Sequence, residues 1–133
     1  MTLPFSEPPF QPPLHFRDEV RELGRRGLDR WSAVAGLSDQ DLRQLARSGR
    51  ASEQRLRRLR GQALLMHALE VTAAEASLLL HAGIPDAAAL STVDPDWLLR
   101  QLGRFQRQLL GRDATPISAV VVRRWIARAR SHG

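Results

Sequence analysis

Apolar residues recur along this chain at helical spacing, and no stretch alternates with period two, so the pattern predicts helices and no sheet. The clearest segment is TAAEASLLLHAGIPDAAALSTV, residues 72–93. Thr72 and Glu75 have the spacing of a reciprocal capping box. Leu78, Leu79 and Ile84 make an apolar stripe. Gly83 is placed for the left-handed backbone that ends a helix, with Pro85 and Asp86 in the first turn of the next. Upstream, a helix starts near Leu14 with Phe16, Val20 and Leu23 inward, and Gly24 and Gly27 interrupt it. Leu28, Trp31 and Val34 belong to a second segment. Ser38 and Asp41 open a third, which buries Leu42 and Leu45 and stops at Gly49. Ser52 caps a longer helix, roughly 53–69, whose apolar side is Leu56, Leu59, Ala63 and Met66. Downstream, Asp94-Pro95-Asp96 is a helix start. That helix turns Leu98, Leu99, Leu102, Phe105 and Leu109 inward and Arg100, Arg104 and Arg107 outward on one stripe, ending at Gly111. Thr115-Pro116 opens the last helix, with Val122, Trp125, Ile126 and Ala129 on its apolar face.

The pattern repeats. Trp31-Ser-Ala-Val-Ala-Gly-Leu-Ser-Asp is echoed by Leu78-Leu-Leu-His-Ala-Gly-Ile-Pro-Asp, and a leucine follows each copy, Leu42 and Leu90, with a one-residue slip. Both copies fall at a joint between two helices, which favours tandem hairpins, about 28–49 and 72–93. The expected fold is therefore all-α, six or seven short helices in a single helical domain, residues 14–133. Ahead of it, residues 1–13 carry five prolines and cannot form a helix. They read as a flexible arm whose rings, Phe5 and Phe10, lie on the domain or dock a partner groove in extended form.

Composition narrows the classes. A chain of 133 residues with 43% hydrophobic content can bury one core. It has no cysteine, which excludes disulfides and thiolate metal sites. No apolar run reaches the length of a membrane helix, and no basic region precedes an apolar core at the N-terminus, so neither a membrane partner nor a secretory signal is expected and the cytoplasm is the default location. His15, His67, His81 and His132 are scattered without metal spacing, and His81 suits the negative end of its helix. Asp94 and Asp96 are helix-start acids. No phosphate-binding glycine loop or nucleophile motif occurs. No catalytic residue, cofactor or metal is expected, and the chain does not read as an enzyme. Trp31, Trp97 and Trp125 lie beside apolar residues at helical spacing and read as core, Trp97 least securely because it follows Pro95 in a first turn.

Charge changes the picture most. All 20 basic residues are arginine, against 14 acids, giving a net charge of +6. Residues 43–60 hold seven arginines and one acid, and residues 98–130 hold eight arginines and one acid. Residues 64–97 between them hold five acids and no arginine. Charge so segregated suits a polyanion, although the same arginines could solvate their own helices or pair with the acidic middle.

The order LARSGRASEQRLRRL, ALLMHALEV, SLLLHAGIPDAAALSTVDPDWLLRQL and a terminal VRRWIARAR resembles an uncharacterised family known mostly from photosynthetic bacteria, catalogued as a domain of unknown function and similar to tandem helix-hairpin-helix proteins. LLHAGI at 79–84 and the Trp125-Ile126 pair are its most specific pieces, and the resemblance spans roughly 28–130. It implies an all-helical fold with no established activity. The wider hairpin superfamily implies nucleic-acid binding through a Gly-apolar-Gly turn whose amides hold phosphate. Here that turn reads Glu70-Val71-Thr72, so that contact does not carry over.

The leading expectation is a non-catalytic protein that contacts nucleic acid or another acidic macromolecule, foremost double-stranded nucleic acid without base reading. Arg55, Arg58, Arg100, Arg104, Arg107, Arg123 and Arg124 would meet the phosphates. The alternative is a protein–protein adaptor or assembly factor using the helical domain and the Phe5 and Phe10 arm, with photosynthetic or carbon-fixing machinery as the context the resemblance implies.

Overall fold

A computed structural model describes residues 7–111 and 115–132; Phe5 lies outside them. The described residues form eight α-helices and a short 3-10 turn, Leu14–Phe16, and contain no strand. The helices are α1 (Arg17–Arg25), α2 (Trp31–Ala35), α3 (Asp39–Ala46), α4 (Glu53–Leu69), α5 (Ala73–His81), α6 (Ala87–Ser91), α7 (Pro95–Leu110) and α8 (Ala119–His132). Eight α-helices among the described residues exceed the expected six or seven, and α2 and α6 are the shortest, at five residues each. Two compact units divide the chain, Met1–Ala63 and Leu64–Gly133, with the boundary inside α4.

In the first unit, α1 ends in a tight reversal at Gly27, whose φ is 68°. The Leu28 amide bonds back to the Leu23 carbonyl at 2.9 Å, and the Gly27 amide to the Gly24 carbonyl at 3.2 Å, the paired bonds that stop a helix. Ser38 and Asp41 make the predicted capping box on α3, each side chain bonding the other's amide, at 3.1 and 2.9 Å. Ser52 Oγ accepts from the Arg55 amide at 3.3 Å and opens α4. The buried side chains include Phe16, Leu23, Trp31, Val34, Leu42, Leu45, Leu56 and Leu59, whereas Val20 and Leu28 of the expected stripes are only partly buried. Two acids join them: Glu19 and Glu22 are 1% and 6% exposed. One carboxylate oxygen of Glu19 accepts from the Ser52 amide at 2.8 Å; the other is buried without a hydrogen-bond partner among the described residues.

The proline-rich arm is held down along its described part. Trp31 Nε1 donates to the Pro9 carbonyl at 3.1 Å, and the Phe10 ring stands edge-on to Trp31 with centroids 4.8 Å apart. The Glu7 carboxylate accepts from the Ser32 amide in the first turn of α2, a helix whose own cap residue, Arg30, offers no side-chain acceptor.

In the second unit, α8 packs on α6 and α7, and α7 packs on α5. Thr72 and Glu75 close the predicted capping box on α5, at 3.1 and 2.8 Å. Gly83 takes φ 87°, and the Ile84 amide reaches the Leu79 carbonyl at 2.9 Å. Asp86, rather than standing in the first turn, is the cap of α6 and accepts from the Ala89 amide at 2.8 Å, so Pro85 precedes the helix. The last helix likewise starts later than Thr115-Pro116. Ser118 Oγ accepts from the Val121 amide at 3.3 Å, and α8 begins at Ala119. Leu78, Leu79, Leu90, Leu98, Leu102, Val122, Trp125 and Ile126 are buried.

Candidate nucleic-acid interface

Each of the seven arginines expected to meet phosphate is exposed. None of their side chains makes a hydrogen bond or ion pair with another described residue. Their neighbours behave differently. On α4, Arg57 bridges Asp39 at 3.1 Å and Glu53 at 3.2 Å, while Arg60 bonds Asp39 at 2.7 Å and the Leu37 carbonyl at 3.1 Å. On α8, Arg128 donates to the Leu69 carbonyl at 2.7 Å and pairs with Glu70 at 3.3 Å. Arg130 donates to the Ser91 carbonyl at 3.1 Å. The arginines therefore fall into a set fixed to the chain's own carbonyls and carboxylates and a set that is not.

The electrostatics follow this division. The bond from Arg60, with the nearby Arg57 charge, holds the Asp39 carboxyl below its ordinary value of 3.8. The hydrogen bond that Arg57 donates to Glu53 foremost, and the Asp39 charge, raise the Arg57 guanidinium further into its charged range. Asp41 is lowered chiefly by the Ser38 amide of its own capping box.

The unbonded set gathers in three places. On α7, Arg100, Arg104 and Arg107 share one face and, with Leu99, Gln101 and Gly103, line a shallow groove of about 510 Å³. Gly103 forms part of its wall, and the Arg107 guanidinium lies 3.9 Å from where a Gly103 side chain would begin. On α4, Arg55 and Arg58 line a second shallow cleft of about 360 Å³ with His15, Phe16, Ser52 and Gln54. On α8, Arg123 and Arg124 are exposed on either side of the buried stripe of Val122, Trp125, Ile126 and Ala129. Arg55 and Arg58 belong to the first unit and the other five to the second. Of the two rings assigned to a partner, Phe10 lies against Trp31 and Phe5 is outside the described residues.

The turn before α5, Glu70-Val71-Thr72, is engaged by the chain's own groups. Glu70 is the one non-glycine at positive φ among the described residues, at 55°. The Thr72 and Glu75 amides are taken by the capping box, and the Glu70 carboxylate faces Arg128. The missing glycines are plain in the residues, but the glycine-like backbone at Glu70 is not, because a residue type alone does not signal it.

His81 is exposed at the end of α5, its Nδ1 2.9 Å from the Ser77 carbonyl. Trp31 and Trp125 are buried, whereas Trp97 is 38% exposed. Among the described residues, no group of three or more acidic, histidine or cysteine side chains is arranged for a metal ion, and no single helix is long and apolar enough to cross a membrane.

Residues 13–132 match the model of DUF4332, a domain of unknown function. The chain belongs to this family. Neither the curated proteins nor the solved structures include a match. The family assignment covers both compact units, so both arginine helices, α4 and α7, fall inside the DUF4332 domain.

Proposed function

We propose that this DUF4332 protein is a non-catalytic binder of polyanions that holds double-stranded nucleic acid by its phosphates, without reading bases, on a tandem helix-hairpin-helix-like scaffold. One observation supports the reading above the others. Seven exposed guanidinium groups lack a partner among the described residues, while other arginines on α4 and α8 are bonded internally. Arginine matches phosphate with a planar fork, and a cation not committed to its own fold pays no exchange cost when it meets one. The contact here moves from backbone amides in a glycine turn to side chains on helix faces. Joints α2–α3 and α5–α6, built on the repeated Ala-Gly-apolar motif, supply the hairpin character.

The adaptor reading draws on the proline-rich arm. It has less support, because Glu7, Pro9 and Phe10 are already engaged on α2.

The test is a titration of a labelled duplex of arbitrary sequence across salt concentrations. Four engaged phosphates give a slope of log affinity against log salt near about −3.6, which is about a hundredfold loss between roughly 50 and 200 mM. Binding that ignores salt, or no binding at low salt, overturns the proposal.

A further inference from the structure

The polar stripe of α7 begins with a tryptophan. At 3.6 residues per turn, Trp97, Arg100, Arg104 and Arg107 fall within about 80° of one another around the helix. Leu98, Leu102 and Gln106 occupy the buried side. Trp97 is 38% exposed, against 4% for Trp31 and 3% for Trp125, and no described aromatic ring stacks on it. An exposed indole in line with three guanidiniums that have no bond among the described residues is more than the leftover of an apolar stripe.

The local charge is ordered along this face. Asp94 and Asp96 flank the tryptophan end, and the Asp94 carboxylate accepts from the Asp96 amide at 3.3 Å, so the positive end of the helix already has its anion. A phosphate is disfavoured there; a flat, neutral base is not. The arginines then follow, the last about 15 Å along the helix axis from Trp97. A base on Trp97 with its phosphates running toward Arg107 matches that order. A duplex meets the arginines but not the indole, since its bases are stacked on each other and offer only their edges to a helix surface.

Resting on the polyanion reading of α7, we propose that Trp97 stacks an unpaired base while Arg100, Arg104 and Arg107 hold the phosphates that follow. This face is then a site for single-stranded nucleic acid, distinct in chemistry from duplex phosphate contact.

Binding of a labelled oligo(dT) and of a duplex of equal length, measured at low salt for the full chain, tests this. Trp97→Ala weakens oligo(dT) binding about tenfold and leaves the duplex within about twofold; Trp97→Phe retains most of the affinity for both. In the unmutated protein, oligo(dT) quenches the tryptophan emission and the duplex does not, a readout that needs no variant to fold. Equal losses for both ligands, no loss for either, or quenching absent on saturation with oligo(dT) overturns the stacking site. Duplex binding without oligo(dT) binding overturns it while leaving the phosphate reading intact; binding of neither overturns both.

Discussion

Helices α4 and α7 are both studded with arginine, yet they use it differently. On α4, Arg57 and Arg60 turn back to Asp39, Glu53 and the Leu37 carbonyl, while Arg55 and Arg58 do not. On α7, Arg100, Arg104 and Arg107 have no partner among the described residues, although Asp96 stands four positions before Arg100. Counting charge along a segment therefore overstates the cations that a ligand can use. What decides is whether a carbonyl or carboxylate of the fold faces the guanidinium first.

The sharpest way to break this contrast is to remove each set. Replacing Arg100, Arg104 and Arg107 together by alanine lowers the salt slope of duplex binding by up to about 2.7, if all three meet phosphate. The melting temperature changes little, because exposed arginines without a partner among the described residues hold little in place. Replacing Arg57 and Arg60 does the reverse, lowering the melting temperature and leaving the slope unchanged. If the second pair changes the slope as much as the first trio, the division between bonded and available arginine has no functional meaning.

A smaller effect isolates Arg60. Its side chain is 16% exposed and serves both Asp39 and the Leu37 carbonyl. Arg60→Ala leaves that carbonyl short of a partner and costs about 1 kcal/mol, read by denaturant unfolding. Acid exposes the same network. A carboxyl held below 3.8 in the folded chain adds stability above that pH and loses it as the pH falls through the folded value. The unmutated protein accordingly loses stability in acid more steeply than Asp39→Asn. Asp41 gives a residual slope in both, because its own lowering comes from Ser38.

Much of this architecture was legible from residue spacing. Both capping boxes, Ser38 with Asp41 and Thr72 with Glu75, close as their sequences require, and the apolar stripes of α3, α5 and α8 are buried. The two copies of the Ala-Gly motif show where sequence likeness stops. Gly83 adopts φ 87°, whereas Gly36 stays right-handed at φ −86°. In the first copy the helix ends in short bonds, from the Gly36 amide to Ala33 and from Leu37 to Val34, and Ser38 caps the next helix directly. In the second, the extra Pro85 separates Ile84 from the cap Asp86. The one-residue slip in the repeat is this difference in turn geometry. Long-range partners were not legible: nothing local to Arg57 or Arg60 points to Asp39, about twenty residues upstream, and nothing local to Glu19 points to Ser52. Nor could periodicity place Trp97, since a first-turn residue has no preceding turn to fix its face.

The smallest expected effect asks which bond ties an arginine down. Arg128 has two partners, the Leu69 carbonyl at 2.7 Å and the exposed Glu70 carboxylate at 3.3 Å. Glu70 also sits at φ 55°, a left-handed conformation that costs an ordinary residue about 1 kcal/mol or more. Glu70→Gly removes that strain and an exposed ion pair worth little, against some added freedom in the unfolded chain. The net gain is about 0.5 kcal/mol, measurable as a rise in the unfolding midpoint. The carbonyl bond survives the substitution, so Arg128 stays in place and the salt slope of duplex binding does not rise. A slope that does rise by about 0.9 means that the carboxylate alone restrained Arg128. Arg128 would then move to the available set, and the boundary between the two sets would depend on acids and not on main-chain carbonyls.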